Sequence, residues 1–329
     1  MKKVTVAQIG VGYWGPNLLR NLVLNSNCEV KSVVDVSRER CEFTARLHPK
    51  VTLFQDVKDV LDDPQIQAVV IATPVKTHFS LTMQALKKGK HVLVEKPMAT
   101  SVDEIDEIAS YAKQHNLVAM VGHTFLYNSA VRYLKQLIKK GDLGDIRYIY
   151  CQRLSLGRIR SDVNALWNFA PHDVSIVQYL LDDLKPISVV KRGMDYVQTG
   201  IEDVVFMDIV YSNKVLVHIH VSWLDPHKVR RITVVGSKKM VVYDDVSDKK
   251  IAVYDKGVDR MAVLGENMDF DKAGPVQFNY RSGEINYPEI EWTEPLKVEI
   301  DHFIDCIVNG TSCLTGPEHA RKVVEILSR

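Results

Sequence analysis

Val4-Thr5-Val6-Ala7-Gln8-Ile9-Gly10-Val11-Gly12-Tyr13-Trp14-Gly15-Pro16 is an apolar strand that runs into a G-x-G-x-x-G turn and then into a proline suited to a helix's first turn. The glycines have separate tasks. Gly10 permits the tight turn, Gly12 lets the backbone approach a pyrophosphate, and Gly15 lets helix and strand pack closely, so that phosphates meet the positive end of the helix. Tyr13 and Trp14 lie within the turn and are expected beside the bound nucleotide. Asp35 stands 20 residues after Gly15, at the end of the second apolar run, with Val36 next to it. A carboxylate there accepts hydrogen bonds from the adenine-ribose hydroxyls and repels a 2′-phosphate, so NAD is expected in preference to NADP. Arg38 has two readings, a guanidinium that neutralises a phosphate or a solvated charge at a helix start.

Outward from that turn, short apolar runs alternate with segments of helical period as far as Gly122, the pattern of βαβ units around a buried parallel sheet. The runs Val4 to Ile9, Val30 to Asp35, Val51 to Phe54, Ala68 to Ala72, His91 to Glu95 and Val118 to Gly122 read as strands. Gly15 to Asn25, Arg38 to His48, Asp56 to Leu61, Thr77 to Lys88 and Ser101 to His115 read as helices, with Ser37 and Ser101 as N-caps and Gly89 as a stop. Residues 1–123 are therefore expected to form one doubly wound nucleotide-binding domain.

Beyond Gly122 the texture changes. A helix is expected over Leu126 to Lys140, a strand over Ile146 to Leu154, and a second helix from His172 to Leu181. Strand-like spacing without intervening helices from Ile187 to about Tyr254 predicts an open, largely antiparallel sheet. Gly265 to Pro295 reads as a long connection, and Leu296 to Val308 and Pro317 to Leu327 as closing helices. Residues 124–329 are thus expected to be a second α/β domain for substrate binding and oligomerisation, its last helices packing back on the first.

With 42 basic and 41 acidic residues the formal charge is +1, which gives no electrostatic case for nucleic acid or an anionic membrane surface. The five cysteines are scattered without a C-x-x-C pair, suggesting neither a disulfide framework nor a zinc or other metal site. The apolar run after Met1-Lys2-Lys3 ends at Ile9, and no stretch reaches the ~20 apolar residues of a membrane span, so a cytoplasmic protein is expected.

Ala72-Thr73-Pro74 and Glu95-Lys96-Pro97 end two strands at the carboxyl edge of the first sheet, where ligands of such folds bind. Thr73, Pro74 and Glu95 are therefore expected near the cofactor. His78 is either a ligand of its ribose or phosphates or a satisfied structural group. Lys96 is either the group that takes a hydroxyl proton while hydride leaves carbon, or half of a surface pair with Glu95. In Trp167-Asn168-Phe169-Ala170-Pro171-His172-Asp173, the histidine follows a proline and is expected at a helix start, where its titration range suits a general base.

Taken in order, these landmarks resemble the glucose-fructose oxidoreductase, inositol dehydrogenase and MocA family over essentially the whole chain, Glu95-Lys96-Pro97 being the most specific of them. The resemblance implies a Rossmann domain plus an α/β domain with an open, mostly antiparallel sheet that often forms an oligomer interface. It also implies that Lys96 and His172 act on the substrate hydroxyl, with a cis bond before Pro97. Many members carry aspartate four residues before that histidine; here Asn168 stands there, and an amide orients a hydroxyl but takes no proton at neutral pH.

Gly10 to Asn21, Val121 to Asn128 and Trp167 to Asp173 are similar to the branch with nucleotide-sugar 3-dehydrogenases, which implies oxidation of C3 of UDP-N-acetylglucosamine or its uronic acid, a chemistry of lipopolysaccharide and lipid A sugars. Arg158 and Arg160 then read as clamps for the diphosphate or as solvated loop charges, and Tyr127 and Asn128 as sugar contacts. Expected alongside are a dimer or tetramer and no partner beyond the small molecules. Rival readings are an inositol or free-sugar dehydrogenase, a deoxysugar-nucleotide ketoreductase, and a catalytically silent NAD-binding sensor.

Overall fold

The structure, a computed structural model, describes residues 3–261 and 277–329. It separates into two compact units, Met1–Ser129 with Val174–Tyr179 and Trp292–Arg329, and Ala130–Asp173 with Leu180–Glu291.

In the first unit β1 (Val4–Ile9), β2 (Cys28–Val34), β3 (Thr52–Phe54), β4 (Ala68–Ile71), β5 (His91–Glu95) and β6 (Ala119–Gly122) form a parallel sheet of order β3-β2-β1-β4-β5-β6. The order reverses between β1 and β4, which makes the carboxyl ends of those strands the switch point where ligands of such sheets bind. All four residues of β4 and of β6 are buried, as strands covered on both faces must be. The crossovers carry α1 (Gly15–Leu24), α2 (Arg38–Leu47), α3 (Lys58–Leu61), α4 (His78–Lys87) and α5 (Val102–Gln114). Ser101 caps α5, its Oγ accepting the Glu104 N–H at 3.2 Å. After β6 a 3-10 turn over Thr124–Tyr127 buries Leu126 and Tyr127, so the helix expected from Leu126 begins instead at Ser129, as α6 (Ser129–Lys139).

The second unit holds an eight-stranded sheet of β7 (Ile146–Leu154), β8 (Pro186–Met194), β9 (Val204–Tyr211), β10 (Leu216–Ser222), β11 (Val229–Gly236), β12 (Met240–Asp244), β13 (Ile251–Met261) and β14 (Gln277–Asn286). Their order is β14-β13-β12-β11-β7-β10-β9-β8, with β7 and β10 parallel and the other pairs antiparallel. Val205, Met207, Ile209 and Tyr211 alternate inward along β9, the period of a sheet with one buried face.

Two further expectations need correction. Gly265 to Pro295 is not one connection: its part over 277–286 is β14, while residues 262–276 lie outside the described residues. β14 is an edge strand whose side chains from Tyr280 to Asn286 are mostly exposed, so it carries no apolar alternation for a sequence reading to find. The second helix does not start at His172. It is α7 (Ala165–Leu180), with Pro171 inside it, and its start signal is Asn164, whose Oδ1 accepts the Trp167 N–H at 3.0 Å. Last come α8 (Pro295–Asn309) and α9 (Pro317–Ser328), which belong to the first unit. Glu294, just before α8, accepts from Arg20 and Asn21 of α1, and Arg321 of α9 pairs with Asp106 of α5 at 2.9 Å. No helix among the described residues is long and apolar enough to cross a membrane.

Candidate active site

The turn after β1 is fixed by close approach. Gly10 has φ +95°, and a Cβ on it would stand 2.5 Å from the Ala72 carbonyl oxygen. A Cβ on Gly15 would stand 2.6 Å from the Gly10 carbonyl oxygen. Gln8, buried in the middle of β1, donates from Nε2 to the carbonyl oxygens of Gly10 at 2.9 Å and Gly15 at 2.8 Å, so a single amide staples both ends of the turn. Asp35 is only 6% exposed; its Oδ2 accepts the Val11 N–H at 2.9 Å and its Oδ1 the Ser37 N–H at 2.9 Å. A carboxylate offers about four lone-pair sites, so acceptor capacity remains for ribose hydroxyls. Tyr13 and Val36 are exposed on the rim. Arg38 is well exposed and paired with Glu42, whereas Arg40 reaches Asp35 at 3.8 Å and is, among the described residues, the only group within 4 Å of a Cβ built on Gly12. The space over Gly12 is otherwise open, which fits a backbone that must admit a pyrophosphate.

The ends of β4 and β5 are tied together by His78. It is 1% exposed, with Nε2 2.8 Å from the Thr73 carbonyl oxygen and Nδ1 2.7 Å from that of Pro97, and burial holds its pKa below the ordinary imidazole value. Both ring nitrogens face backbone carbonyl oxygens, of which a neutral ring donates to one, an arrangement that favours the structural of the two readings of His78. The Lys96-Pro97 bond is cis. Behind Lys96 the Glu95 carboxyl is turned inward: Oε2 accepts the Lys96 N–H at 3.2 Å, the Trp14 side chain donates to the carboxyl, and Oε1 is out of solvent with no hydrogen-bond partner. Burial pushes this group up to about 7 against the opposing pull of Lys96. A Cβ on Gly122 would stand 3.2 Å from Oε1, so that glycine leaves room for the carboxyl. A second acid, Glu299 of α8, is wholly buried and accepts the Thr124 hydroxyl at 2.8 Å. Burial, then the charge of Glu95, raises it well above the usual carboxylate range. His123 is buried too, its pKa pushed well down by burial and then by His319 and Lys96.

In the second unit α7 carries Asn168 and His172, both partly accessible. The next residue, Asp173, is 1% exposed and receives a two-pronged bond from Arg153 of β7, Nε to Oδ2 and Nη2 to Oδ1 at 2.9 Å each. That buried pair fixes the axial position and rotation of the helix turn that presents His172. Arg160 is spent on Asp162, at 2.8 and 2.6 Å, while Arg158 is exposed. Tyr127, expected on the sugar, is instead 1% exposed in the first unit with its hydroxyl 3.0 Å from Thr315 Oγ1; Asn128 is buried beside it.

The first unit therefore brings together Gly10, Gly12, Gly15, Asp35, Thr73, Glu95 and Lys96 at the carboxyl edge of one sheet, and withdraws His78 and Tyr127 into the core. The sequence reading missed Gln8, Arg153 and Asp173. Gln8 did carry a signal, a lone amide within an otherwise apolar strand, since buried polar residues need a reason. The Arg153–Asp173 pair carried none, because the two residues are 20 apart in sequence and lie on different elements.

Residues 4–123 match the model of the oxidoreductase family with an NAD-binding Rossmann fold, and residues 131–242 match the GFO/IDH/MocA C-terminal domain. The UDP-N-acetylglucosamine 3-dehydrogenase of Acidithiobacillus ferrooxidans is 30% identical over 188 residues, 56% of this chain and 56% of its own length. Its solved structure superposes with a TM-score of 0.81 at 21% identity, covering 100% of this chain and 96% of that one. The NADP(+)-dependent scyllo-inositol 2-dehydrogenase IolW of Bacillus subtilis is 26% identical over 167 residues, 50% of this chain and 46% of its own. GenD2 from gentamicin A biosynthesis, solved in complex with NAD, superposes with a TM-score of 0.82 at 21% identity over 100% of this chain and 93% of that one. The matched part of the curated relatives is about half to three fifths of their length. The two family models between them span most of the chain, and it belongs to the Gfo/Idh/MocA oxidoreductases, enzymes with an NAD-binding Rossmann domain and a mostly antiparallel second sheet.

Proposed function

We propose that this oxidoreductase removes hydride from a carbinol carbon of a nucleotide sugar, C3 of UDP-N-acetylglucosamine or of its uronic acid, giving the 3-keto sugar. The observation that carries the reading is Lys96 at the end of β5, with a buried carboxyl of pKa about 7 directly behind it, on a domain built for NAD. The choice of sugar rests on the name of the relative with 30% identity.

Gly10, Gly12 and Gly15 would hold the cofactor's pyrophosphate and Asp35 its adenine ribose. When bound, the nicotinamide supplies the acceptor for the hydride. Lys96 takes the proton of the reacting hydroxyl at Nζ, and His172 holds or relays it. Asn168 orients a hydroxyl through its amide and leaves the proton work to those two. Arg158 is the cation still open to a diphosphate, Arg160 being engaged by Asp162. The protein's contribution is largely positioning. The reading carries with it a cytoplasmic enzyme of lipopolysaccharide or lipid A sugar synthesis. It also carries a homo-oligomer, supported by the apolar side chains Tyr148, Val190, Val210 and Leu216 exposed on the second sheet.

The test is absorbance of reduced nicotinamide after mixing protein and NAD in turn with UDP-N-acetylglucosamine, its uronic acid and myo-inositol. A rise with a UDP-sugar alone is the expected result. A rise with inositol alone transfers the enzyme to the cyclitol dehydrogenases, and silence with all three despite bound NAD replaces the enzyme by a sensor.

A further inference from the structure

Away from the nucleotide turn, three soft ligand atoms converge at the turn between α8 and α9. His302 and Cys306 stand four residues apart on one face of α8. The chain then reverses through Gly310, at φ +68°, and brings back Cys313. The His302 ring nitrogen and the two sulfurs all lie within 4.8 Å of one another. The whole cluster belongs to the first unit.

The imidazole is set for coordination. Its Nε2 accepts the Leu314 N–H at 3.0 Å and lies 3.5 Å from Cys306 Sγ. A backbone N–H can only donate, so Nε2 is the unprotonated nitrogen, its lone pair held by the Leu314 N–H, and this is the tautomer a metal requires. The Thr315 N–H donates to Cys313 Sγ, the kind of outer hydrogen bond that steadies a coordinating thiolate. His302 and Cys313 are partly accessible, whereas Cys306 is buried, so an ion has a way in and a closed far side.

We propose that His302, Cys306 and Cys313 form a binding site for one zinc-class ion, with water at the fourth position. Two thiolates and one imidazole suit a soft or borderline d10 cation and no hard one. Two thiolates balance its double charge, and binding releases the thiol protons to solvent and exchanges the Leu314 N–H bond for a nitrogen–metal bond. Zn–S bonds of about 2.3 Å and Zn–N bonds of about 2.0–2.1 Å require the three atoms to draw together only slightly. The ion would cross-link α8 to residues 310–316, and so pin Thr315, whose carbonyl accepts the Val121 N–H at 2.9 Å and whose hydroxyl meets Tyr127. None of the three ligands is a residue given a part in the proposed sugar chemistry.

The experiment titrates Co2+ into the reduced, chelator-treated full-length protein, followed by competition with Zn2+. Expected are one equivalent of bound metal, near-ultraviolet thiolate-to-cobalt absorption with visible bands of tetrahedral cobalt, bleaching by Zn2+, and a rise in Tm with zinc. Cys313→Ser, at a partly accessible position, should weaken binding by more than the ~10–100-fold that losing an outer-shell partner costs. His302→Asn should do the same, and Cys41→Ser, on α2, should change nothing. Cobalt bound without thiolate absorption overturns the site. So does undiminished affinity in Cys313→Ser, or a pair that forms a Cys306–Cys313 disulfide but, once reduced, takes up no metal.

Discussion

The turn from Gly10 to Gly15 and the helix turn around His172 are held by opposite means. The first is held by exclusion: a Cβ at Gly10 or Gly15 would meet a carbonyl oxygen at 2.5 or 2.6 Å, and one short amide, Gln8, ties its ends. The second is held by attraction between two charges far apart in sequence, Arg153 and Asp173, both withdrawn from water. Added volume breaks the one, and an unpaired charge breaks the other. The nucleotide site should therefore tolerate changes of charge around its rim better than any added methyl, while the segment that presents His172 should tolerate volume and fail on charge.

The largest effect is expected where neither device operates. Lys96→Met keeps much of the side-chain length and discards the proton acceptor, and general acid–base groups contribute typically about 10²–10⁴-fold. With a responsive sugar in hand, kcat should fall by that order while NAD binding, followed by protein fluorescence, stays. An unchanged kcat removes Lys96 from the chemistry.

Next is the buried pair. Arg153→Leu leaves Asp173 ionised and unpartnered in the interior, which costs about 3–5 kcal/mol, whereas Arg153→Leu with Asp173→Leu removes both charges and should recover much of that loss. Denaturant midpoints of the single and double variants read the difference directly. Equal losses in both would mean that shape, and not charge, holds α7 in place, and the contrast between the two regions would collapse.

The same contrast governs what was legible beforehand. Glycine spacing, a strand before it and an acid 20 residues after it are local, and each has a steric or electrostatic reason that survives without a fold, so the nucleotide turn, the order of β and α elements and Lys96 at a strand end were all readable. Pro171 misled because a proline is more often a helix boundary than an interior residue, and the actual start, Asn164, is signalled only by its side-chain bond. Tyr127 was expected on the sugar through the resemblance of Val121 to Asn128 to the nucleotide-sugar branch; its partner Thr315 is 188 residues away. β14 escaped because an edge strand with solvent on its side chains has no apolar period to show.

Gly10→Ala tests exclusion alone. The residue would be forced to keep φ +95°, with its new methyl against the Ala72 carbonyl, and backbone strain of this kind costs about 1–3 kcal/mol. NAD affinity should drop together with stability, since the turn must open to relieve the clash. Loss of stability with affinity intact would show that the turn yields without disturbing the phosphate cradle.

The smallest effect expected is a change of pH profile, and it bears on a place in the first unit where charge matters as much as shape. Glu95 is raised by burial from its ordinary 4.5 to about 7. A carboxyl raised in the folded state binds its proton more tightly than in the unfolded chain, so its contribution to stability is fully present below about pH 4.5 and is lost as pH rises through about 7. Above that point an ionised Glu95 beside Lys96 favours the ammonium and so opposes its action as a base; below it, the neutral acid removes that restraint. The wild-type profile of kcat/KM should therefore carry an inflection near neutrality, and wild-type stability should decline between about pH 5 and 8. Glu95→Gln, always neutral and of the same shape, should lose the kinetic inflection and show a smaller fall in stability between pH 5 and pH 8, the share owed to the buried Glu299 remaining. Retention of the kinetic inflection in that variant would move the titration to another group, with His172 on α7 the first to examine, and would place the pH sensitivity in the second unit.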